Sequence, residues 1–306
     1  MLAVDGILNL DKPYGITSME VVRRIKRASR AKRVGHGGTL DPVATGVIPI
    51  CFGRATRIME YLVAGTKDYR AVVKFGVTTD TYDALGKVTA RSDASHLTAG
   101  EVERALRPFK GEIDQVPPMF SALKRKGKRL YDLARAGIEV EREPRKVKVL
   151  SIDLTDWSYP LATIEVRCGR GFYIRSLAHD LGQALACGAH LKNLVRLRSG
   201  PFKLSSALSL EDAEQLFADG LWQTALRPLD IVLQDLRAMI VGKRIEDSLR
   251  HGGGLPNDWR APPGEAGEKC RAYGVGGRFL AVLSFDAPAD QWHADKVFLS
   301  GEPDLT

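Results

Sequence analysis

The chain has 306 residues, 44% of them hydrophobic and 27% charged, the balance of a water-soluble globular protein with no run near the ~18 apolar residues of a membrane helix. Its opening, MLAVDGILNLDKP, has no charged region ahead of its apolar residues and is interrupted by Asp5 and Asp11, so no signal peptide is expected and the cytoplasm is the expected compartment. Net charge is +8, yet residues 237–306 hold nine basic and ten acidic side chains, so the whole positive excess falls in residues 1–236 and favours an anionic partner such as nucleic acid.

Ile7 to Leu10 reads as a short buried strand ending at Lys12-Pro13, followed by a turn at Tyr14-Gly15. Thr17 and Glu20 fit a capping box, and Met19, Val22 and Ile25 then recur at helical spacing, which predicts a helix with Arg23, Arg24, Lys26 and Arg27 facing outward. From Arg23 to Arg33 there are seven Lys or Arg residues and no acid. Such a run is commonly a solvated face, but the lack of any acid favours phosphate contact. Gly35 to Gly46 reads GHGGTLDPVATG and sets one carboxylate, Asp41, among small and turn-forming residues. Asp before Pro is a common turn former, so Asp41 is either structural or, beside a surface that draws polyanions, chemical.

Tyr69, Ala71, Val73 and Phe75 alternate with Arg70, Val72 and Lys74, which predicts a strand ending at Gly76, and Thr78 to Thr81 leads into a polar loop. Thr98 and Glu101 cap a helix carrying Val102, Ala105, Leu106 and Phe109, stopped by Gly111. A second basic region follows at Lys124, Arg125, Lys126, Lys128 and Arg129, then strands at Val147–Leu154 and Ala162–Cys168. Gly169-Arg170-Gly171 leads into a helix with Leu177, Leu181 and Leu185, ended by Gly188. Arg227-Pro228-Leu229-Asp230 begins the connection to a segment of different texture. There Gly252-Gly253-Gly254, Pro262-Pro263-Gly264 and Gly276-Gly277 punctuate short apolar runs. Two units are expected: residues 1–236, and a small β-rich unit over 237–306. Strands and helices mix without strict βα alternation, so the class is α+β.

Four scattered cysteines, Cys51, Cys168, Cys187 and Cys270, read as free thiols, and the six histidines form no HExxH pair. With no GxGxxG after a strand, no GxxxxGK[ST] and no GxSxG, metal, nucleotide and serine-nucleophile chemistry have no motif to rest on.

The assembled residues resemble the tRNA pseudouridine(55) synthase family. The likeness is an ordered series over residues 5–235. It opens with Gly6-Ile7-Leu8 and Asp11-Lys12-Pro13-Tyr14-Gly15-Ile16-Thr17-Ser18, then Gly35-His36-Gly37-Gly38-Thr39-Leu40-Asp41-Pro42 with Ala44-Thr45-Gly46. Lys67-Asp68-Tyr69 and Thr79-Asp80-Thr81 with Asp83 follow. Pro117-Pro118-Met119-Phe120-Ser121-Ala122-Leu123-Lys124 and Gly171-Phe172-Tyr173-Ile174-Arg175 complete it. The departures are Phe172 where members commonly have Thr, and Gly37 where many have Thr.

The resemblance implies a pseudouridine-synthase fold, a mixed and mainly antiparallel sheet flanked by helices and loops, with residues 237–306 similar to small β modules of the PUA type that bind RNA. The near-neutral charge of that segment speaks against strong RNA binding there. It also implies a monomeric isomerase that needs no cofactor, metal or guide RNA and acts on the T arm of tRNA. Asp41 is then the catalytic carboxylate, Arg175 its ion-pair partner, and Tyr69 a ring stacked on the target base whose hydroxyl helps to move the C5 proton. Tyr173 and Leu194 line the uracil pocket, His36 fills the space left by flipped nucleotides, and Lys12 contacts either the catalytic loop or the RNA backbone. Read without the resemblance, Tyr69 and Leu194 are core residues, His36 a loop hydrogen-bonder and Arg175 a phosphate contact or surface residue. Two other classes share the basic composition: an RNA-folding protein without catalysis, and a metabolic enzyme unrelated to RNA.

Overall fold

A computed structural model describes residues 4–299, apart from 122, 126, 252–254, 256–258, 260 and 261. Ala122, Lys126 and Gly252-Gly253-Gly254 therefore lie outside the described residues. The chain opens with strand β1 (Gly6–Lys12), helix α1 (Ser18–Ser29), the short strand β2 (Val34–His36) and β3 (Ala44–Phe52). Helix α2 (Met59–Ala64) leads to β4 (Lys67–Phe75), then a hairpin of β5 (Val77–Thr79) and β6 (Val88–Arg91), where only a polar loop was expected. Helix α3 (Ala99–Leu106), β7 (Gly111–Gln115), a small hairpin of β8 (Lys124–Arg125) and β9 (Lys128–Arg129), and α4 (Leu130–Arg135) follow. Next come β10 (Arg145–Ser158), β11 (Leu161–Cys168), α5 (Ile174–Ala184), β12 (Ala189–Ser199), β13 (Phe202–Lys203) and α6 (Leu210–Ala218).

The main sheet has nine strands in the order β1-β3-β12-β4-β11-β10-β7, with β2 added to β3 and β13 to β12. Among the described residues every neighbouring pair in it is antiparallel except β3–β12. The sheet is thus mixed and mainly antiparallel, as the resemblance implies. Its two halves are covered differently, and the sequence patterns follow. On β4, Ala71, Val73 and Phe75 pack with α3 and α5, giving the alternating pattern of a strand with one covered face. On β1 and β3, Leu8, Leu10, Ile48, Ile50 and Phe52 face α1 and α6, whereas Ile7, Val47 and Cys51 join Val282 and Phe298 from the C-terminal part. Both faces are covered, so these strands read as continuous apolar runs.

Helix α1 departs from the expected stripe. It buries Ser18, Val21, Val22 and Ile25, while Met19 is exposed. Thr17 caps the helix by accepting from the Glu20 N–H at 3.0 Å, but the Glu20 carboxylate pairs with Arg23 at 2.6 Å, so only one arm of the box forms. Thr98 and Glu101 form both arms. Of the basic run, Arg24 pairs with Glu214 and ties α1 to α6, while Lys26, Arg27, Arg30 and Lys32 are exposed.

The parallel pair matches Leu194 with Ala44, Val195 with Thr45 and Arg196 with Gly46. Gly46 has φ +101°, and a Cβ there would lie 2.3 Å from the Arg196 carbonyl oxygen and 2.8 Å from its nitrogen. Only glycine lets the two backbones approach so closely. Gly46→Ala is expected to cost about 3 kcal/mol or more of stability, measured by urea denaturation.

A second sheet opens with β14 (Arg237–Val241), crosses through helix α7 (Lys243–Arg250) to the parallel β15 (Lys269–Gly274), and continues in β16 (Phe279–Asp286) and β17 (Gln291–Val297). The expected β-rich unit is there; α7, which buries Ile245 and Leu249 against this sheet, is an addition to it. The unit docks on the β1–β3 face: besides the Val282 and Phe298 contacts, Arg57 donates to the Val297 carbonyl at 2.7 Å.

Candidate active site

The loop Gly38 to Val43 enters β3 at the point where β12 lies beside it, and Asp41 sits at its tip with 38% of its side chain exposed. Helix α5 starts at Ile174, so Arg175 is in its first turn, and its side chain is 5% exposed. The Arg175 Nε donates to Asp41 Oδ2 at 2.9 Å. Its other nitrogens spread over the facing walls: Nη2 donates to the Phe120 carbonyl at 2.7 Å, and Nη1 to the Thr81 carbonyl at 3.3 Å, with Asp83 Oδ2 at 3.8 Å. The structure therefore brings the expected pair together and adds a second carboxylate. Asp83 is itself buried and held by the Thr81 hydroxyl at 2.7 Å and the Leu85 N–H at 3.1 Å.

The start of α5 is fixed by Gln115 at the end of β7. The side-chain amide of Gln115 accepts from the Tyr173 N–H at 2.8 Å and donates to the Tyr173 carbonyl at 3.0 Å, which aims both Tyr173 and Arg175. Further along the same helix, burial raises the Asp180 carboxyl from 3.8 to about 6. Between those values the fold keeps a proton that the unfolded chain has lost, so stability falls as pH rises through that window and the cost is fully present above it. Asp180→Asn is expected to stabilise the protein by roughly 1–2 kcal/mol at pH 7, below the full two-unit value because Asp180 keeps partial solvent access, and to give nothing at pH 3.5. Melting curves at the two pH values check this.

Tyr69 lies on β4 opposite Arg196 of β12, and Arg196 in turn lies opposite Gly46 of β3 and so in line with Lys12 of β1. This row runs across the sheet beneath Asp41. Burial raises the Tyr69 hydroxyl above its ordinary range, and the charge of the Arg196 guanidinium on the neighbouring strand works in the opposite direction. Burial likewise raises Tyr173, against the Arg175 charge. The Asp41 charge is felt at Tyr69, Tyr173 and Lys12 alike.

Lys12 is fully buried, and its Nζ donates to the carbonyls of Pro13 and Ile16 at 2.8 Å each, with that of Pro42 at 3.5 Å. Of the two partners expected for Lys12, the catalytic loop is touched through the Pro42 carbonyl, while the shorter bonds go to the turn that follows β1. Burial pushes the ammonium down to about 8, the Asp41 charge opposing. His36, at the end of β2, is half-buried; its Nδ1 accepts from the Gly38 N–H at 3.3 Å, which leaves the proton of a neutral ring on Nε2. Burial and then the Arg196 charge hold its pKa below the usual histidine value. Leu194 packs in the core with Leu40, Ala44 and Ala71, beside the Asp41 loop. Gly37 is buried where an added Cβ would fall 2.6 Å from the Leu62 side chain, which accounts for the departure from Thr at that position in this chain.

Three positions escape sequence reasoning. Ser18 accepts from the Leu40 N–H at 2.8 Å and donates to the Leu40 carbonyl at 2.9 Å, clamping the loop one residue before Asp41. Asp83 has a signal, its place two residues after Thr81 in a matched block. Arg196 has only the oddity of a charge on the same strand face as Leu194.

The profile of the "TruB family pseudouridylate synthase (N terminal domain)" matches residues 26–174, and that of the "tRNA pseudouridylate synthase B C-terminal domain" matches residues 175–240. A protein of Dehalococcoides mccartyi (strain CBDB1) named tRNA pseudouridine synthase B is 43% identical over 300 residues, 98% of either chain. One of the same name from Symbiobacterium thermophilum is 51% identical over 252 residues, 81% of this chain and 82% of that one. Among solved structures, an H/ACA RNP bound to a substrate RNA containing 2'-deoxyuridine matches with a TM-score of 0.73 at 25% identity, covering 96% of this chain and 85% of that one. A Cbf5-Nop10-Gar1 complex matches at 0.71 and 26%, covering 97% and 84%. The two profiles meet inside the first turn of α5, so the sheet, which needs β12, and the Asp41–Arg175 pair both draw on the two together. The chain belongs to the TruB pseudouridylate synthase family.

Proposed function

We propose that this protein isomerises uridine 55 in the T loop of tRNA to pseudouridine, with Asp41 as the acting carboxylate. The observation that carries the reading is the Asp41–Arg175 pair, a part-exposed carboxylate aimed by a buried guanidinium, with Tyr69, Tyr173 and Leu194 close by. The reaction breaks the N1–C1′ bond, turns the uracil and joins C5 to C1′, while the hydrogen on C5 leaves and N1 takes up a proton. Positive charge builds at C1′ as the bond breaks, and a carboxylate there stabilises it, traps it covalently or removes a ribose proton. The detached base stays in the pocket and reacts again, so a second carboxylate to protonate a departing group is not required. A uridine inside a folded loop must first be flipped out, which costs a few kcal/mol, offset by stacking and by phosphate contacts. The exposed Lys26, Arg27, Arg30 and Lys32 supply charge for the latter.

We read the chain as a cytoplasmic monomer acting without a guide RNA. The relatives named tRNA pseudouridine synthase B match it at 43–51% identity, well above the 25–26% of the H/ACA RNP and the Cbf5-Nop10-Gar1 complex. Among the described residues no helix is long and apolar enough to cross a membrane.

The test is tritium release from tRNA labelled at uridine C5. About one equivalent per tRNA is expected, and none from a tRNA with cytidine at position 55. Release that persists from the cytidine tRNA would overturn the site. No release by a folded protein that still binds tRNA would favour an RNA-folding protein instead.

A further inference from the structure

We infer that Arg196 is a positioning residue of this reaction, anchoring the Asp41 loop by its backbone and setting that loop against Tyr69 on the neighbouring strand. The inference rests on the functional reading above and concerns a residue that the reading does not use.

The loop carbonyls can be accounted for one by one. Leu40 is taken by Ser18 at 2.9 Å, Asp41 by the Ala44 N–H at 3.0 Å, and Pro42 by the Gly15 N–H at 2.8 Å. The two that remain, Gly38 and Thr39, are reached by Arg196, through Nη2 at 3.0 Å and Nη1 at 3.4 Å. Its Nε donates to the Val47 carbonyl at 2.6 Å, which fixes the guanidinium against β3. Every carbonyl from Gly38 to Pro42 therefore has a donor, and one side chain from the opposite strand supplies two of them.

Arg196 is 1% exposed, and among the described residues its hydrogen-bond partners are backbone carbonyls rather than a carboxylate. A buried guanidinium without a counter-charge is costly, and a Leu or Met of similar length would satisfy packing alone. What such a replacement could not do is donate in several directions from one plane. Tyr69 stands directly opposite Arg196 on the neighbouring strand, close enough for the guanidinium charge to bear on its hydroxyl. Tyr69 and Arg196 are directly paired across β4 and β12, and Arg196 and Gly46 across β12 and β3, so one residue stands between the strand that the Asp41 loop enters and the strand that carries Tyr69.

Arg196→Lys keeps the charge but cannot span these acceptors. The single-turnover rate of tritium release is expected to fall about 10²-fold or more, with the tRNA Kd within about threefold of wild type. Arg196→Ala is expected to regain part of its rate with added guanidinium and none with methylammonium. Combining Arg196→Lys with Tyr69→Phe should slow the reaction little beyond the slower single variant, because both changes disable one unit. Additive losses, a rate within threefold of wild type, or a rate loss matched by loss of fold and tRNA binding would each overturn the inference. A second readout does not depend on turnover. With 3-fluorotyrosine at position 69, the fluorine titration midpoint should rise in Arg196→Met because a neighbouring cation favours the phenolate, and an unchanged midpoint overturns the placing of the guanidinium beside the ring. If wild type releases no tritium, the functional reading falls, and the fluorine titration still decides where the Arg196 guanidinium lies.

Discussion

Asp41→Asn is expected to abolish tritium release, by at least about 10⁴-fold, with tRNA affinity held within a factor of about three. The amide is isosteric and still offers an oxygen to Arg175 Nε, so the geometry of the site survives. It lacks the negative charge that would stabilise or trap a cationic C1′, and it is no base for a ribose proton. The fold should also survive, because Asp41 is part-exposed and Arg175 keeps the Thr81 and Phe120 carbonyls and the neighbouring Asp83. A folded Asp41→Asn protein that no longer bound tRNA would instead give Asp41 a structural role.

Replacing Arg175 separates aiming from holding. Arg175→Lys keeps the charge, but its compact ammonium cannot reach Asp41, Thr81 and Phe120 from one plane, so the single-turnover rate should drop about 10²-fold or more with little change in tRNA affinity. Arg175→Met removes the charge as well and leaves Asp83, whose side chain is 9% exposed, without its cation. Breaking a buried pair on one side typically costs about 3–5 kcal/mol, so this variant should show both the rate loss and a clearly lowered urea midpoint. A Lys variant as fast as wild type would show that position of charge, not the fork, is what matters.

The sequence made some of this legible, and the reasons are local. The Thr98–Glu101 box and the alternation around Ala71 report on a helix start and a strand with one covered face, and both are found. At α1 the hydrophobic pattern misleads, because the inward position belongs to Ser18, whose hydroxyl serves the Asp41 loop, while Met19 takes the exposed one. Alternation gives no strand over Ala189–Ser199. Register shifts at Leu191/Asn193 and Arg196/Arg198 break its phase, and a buried arginine reads as a surface residue. Asp41 and Arg175 are legible through the ordered motifs; their contact is 134 residues apart in the chain and only the topology supplies it. Asp83 and Arg196 act on other residues from behind, and residue type alone gives such positions no distinct signature.

The place of β12 in the sheet bears on how the protein is made. Strands β3 and β4 are neighbours in sequence but not in space, and β12 lies between them. A ribosome delivers residues from the N-terminus onward, so both strands emerge long before the one that joins them. Until then each presents an open edge of unpaired backbone groups, and Asp41 and Tyr69 belong to separate half-sheets. A nascent chain arrested before Ala189 should therefore exchange quickly in deuterium those amides of β3 and β4 that face β12, and their protection should appear only once Ser199 has cleared the exit tunnel. The carboxylate and the tyrosine meet late, and an unfinished chain has no half-built site with which to act on RNA.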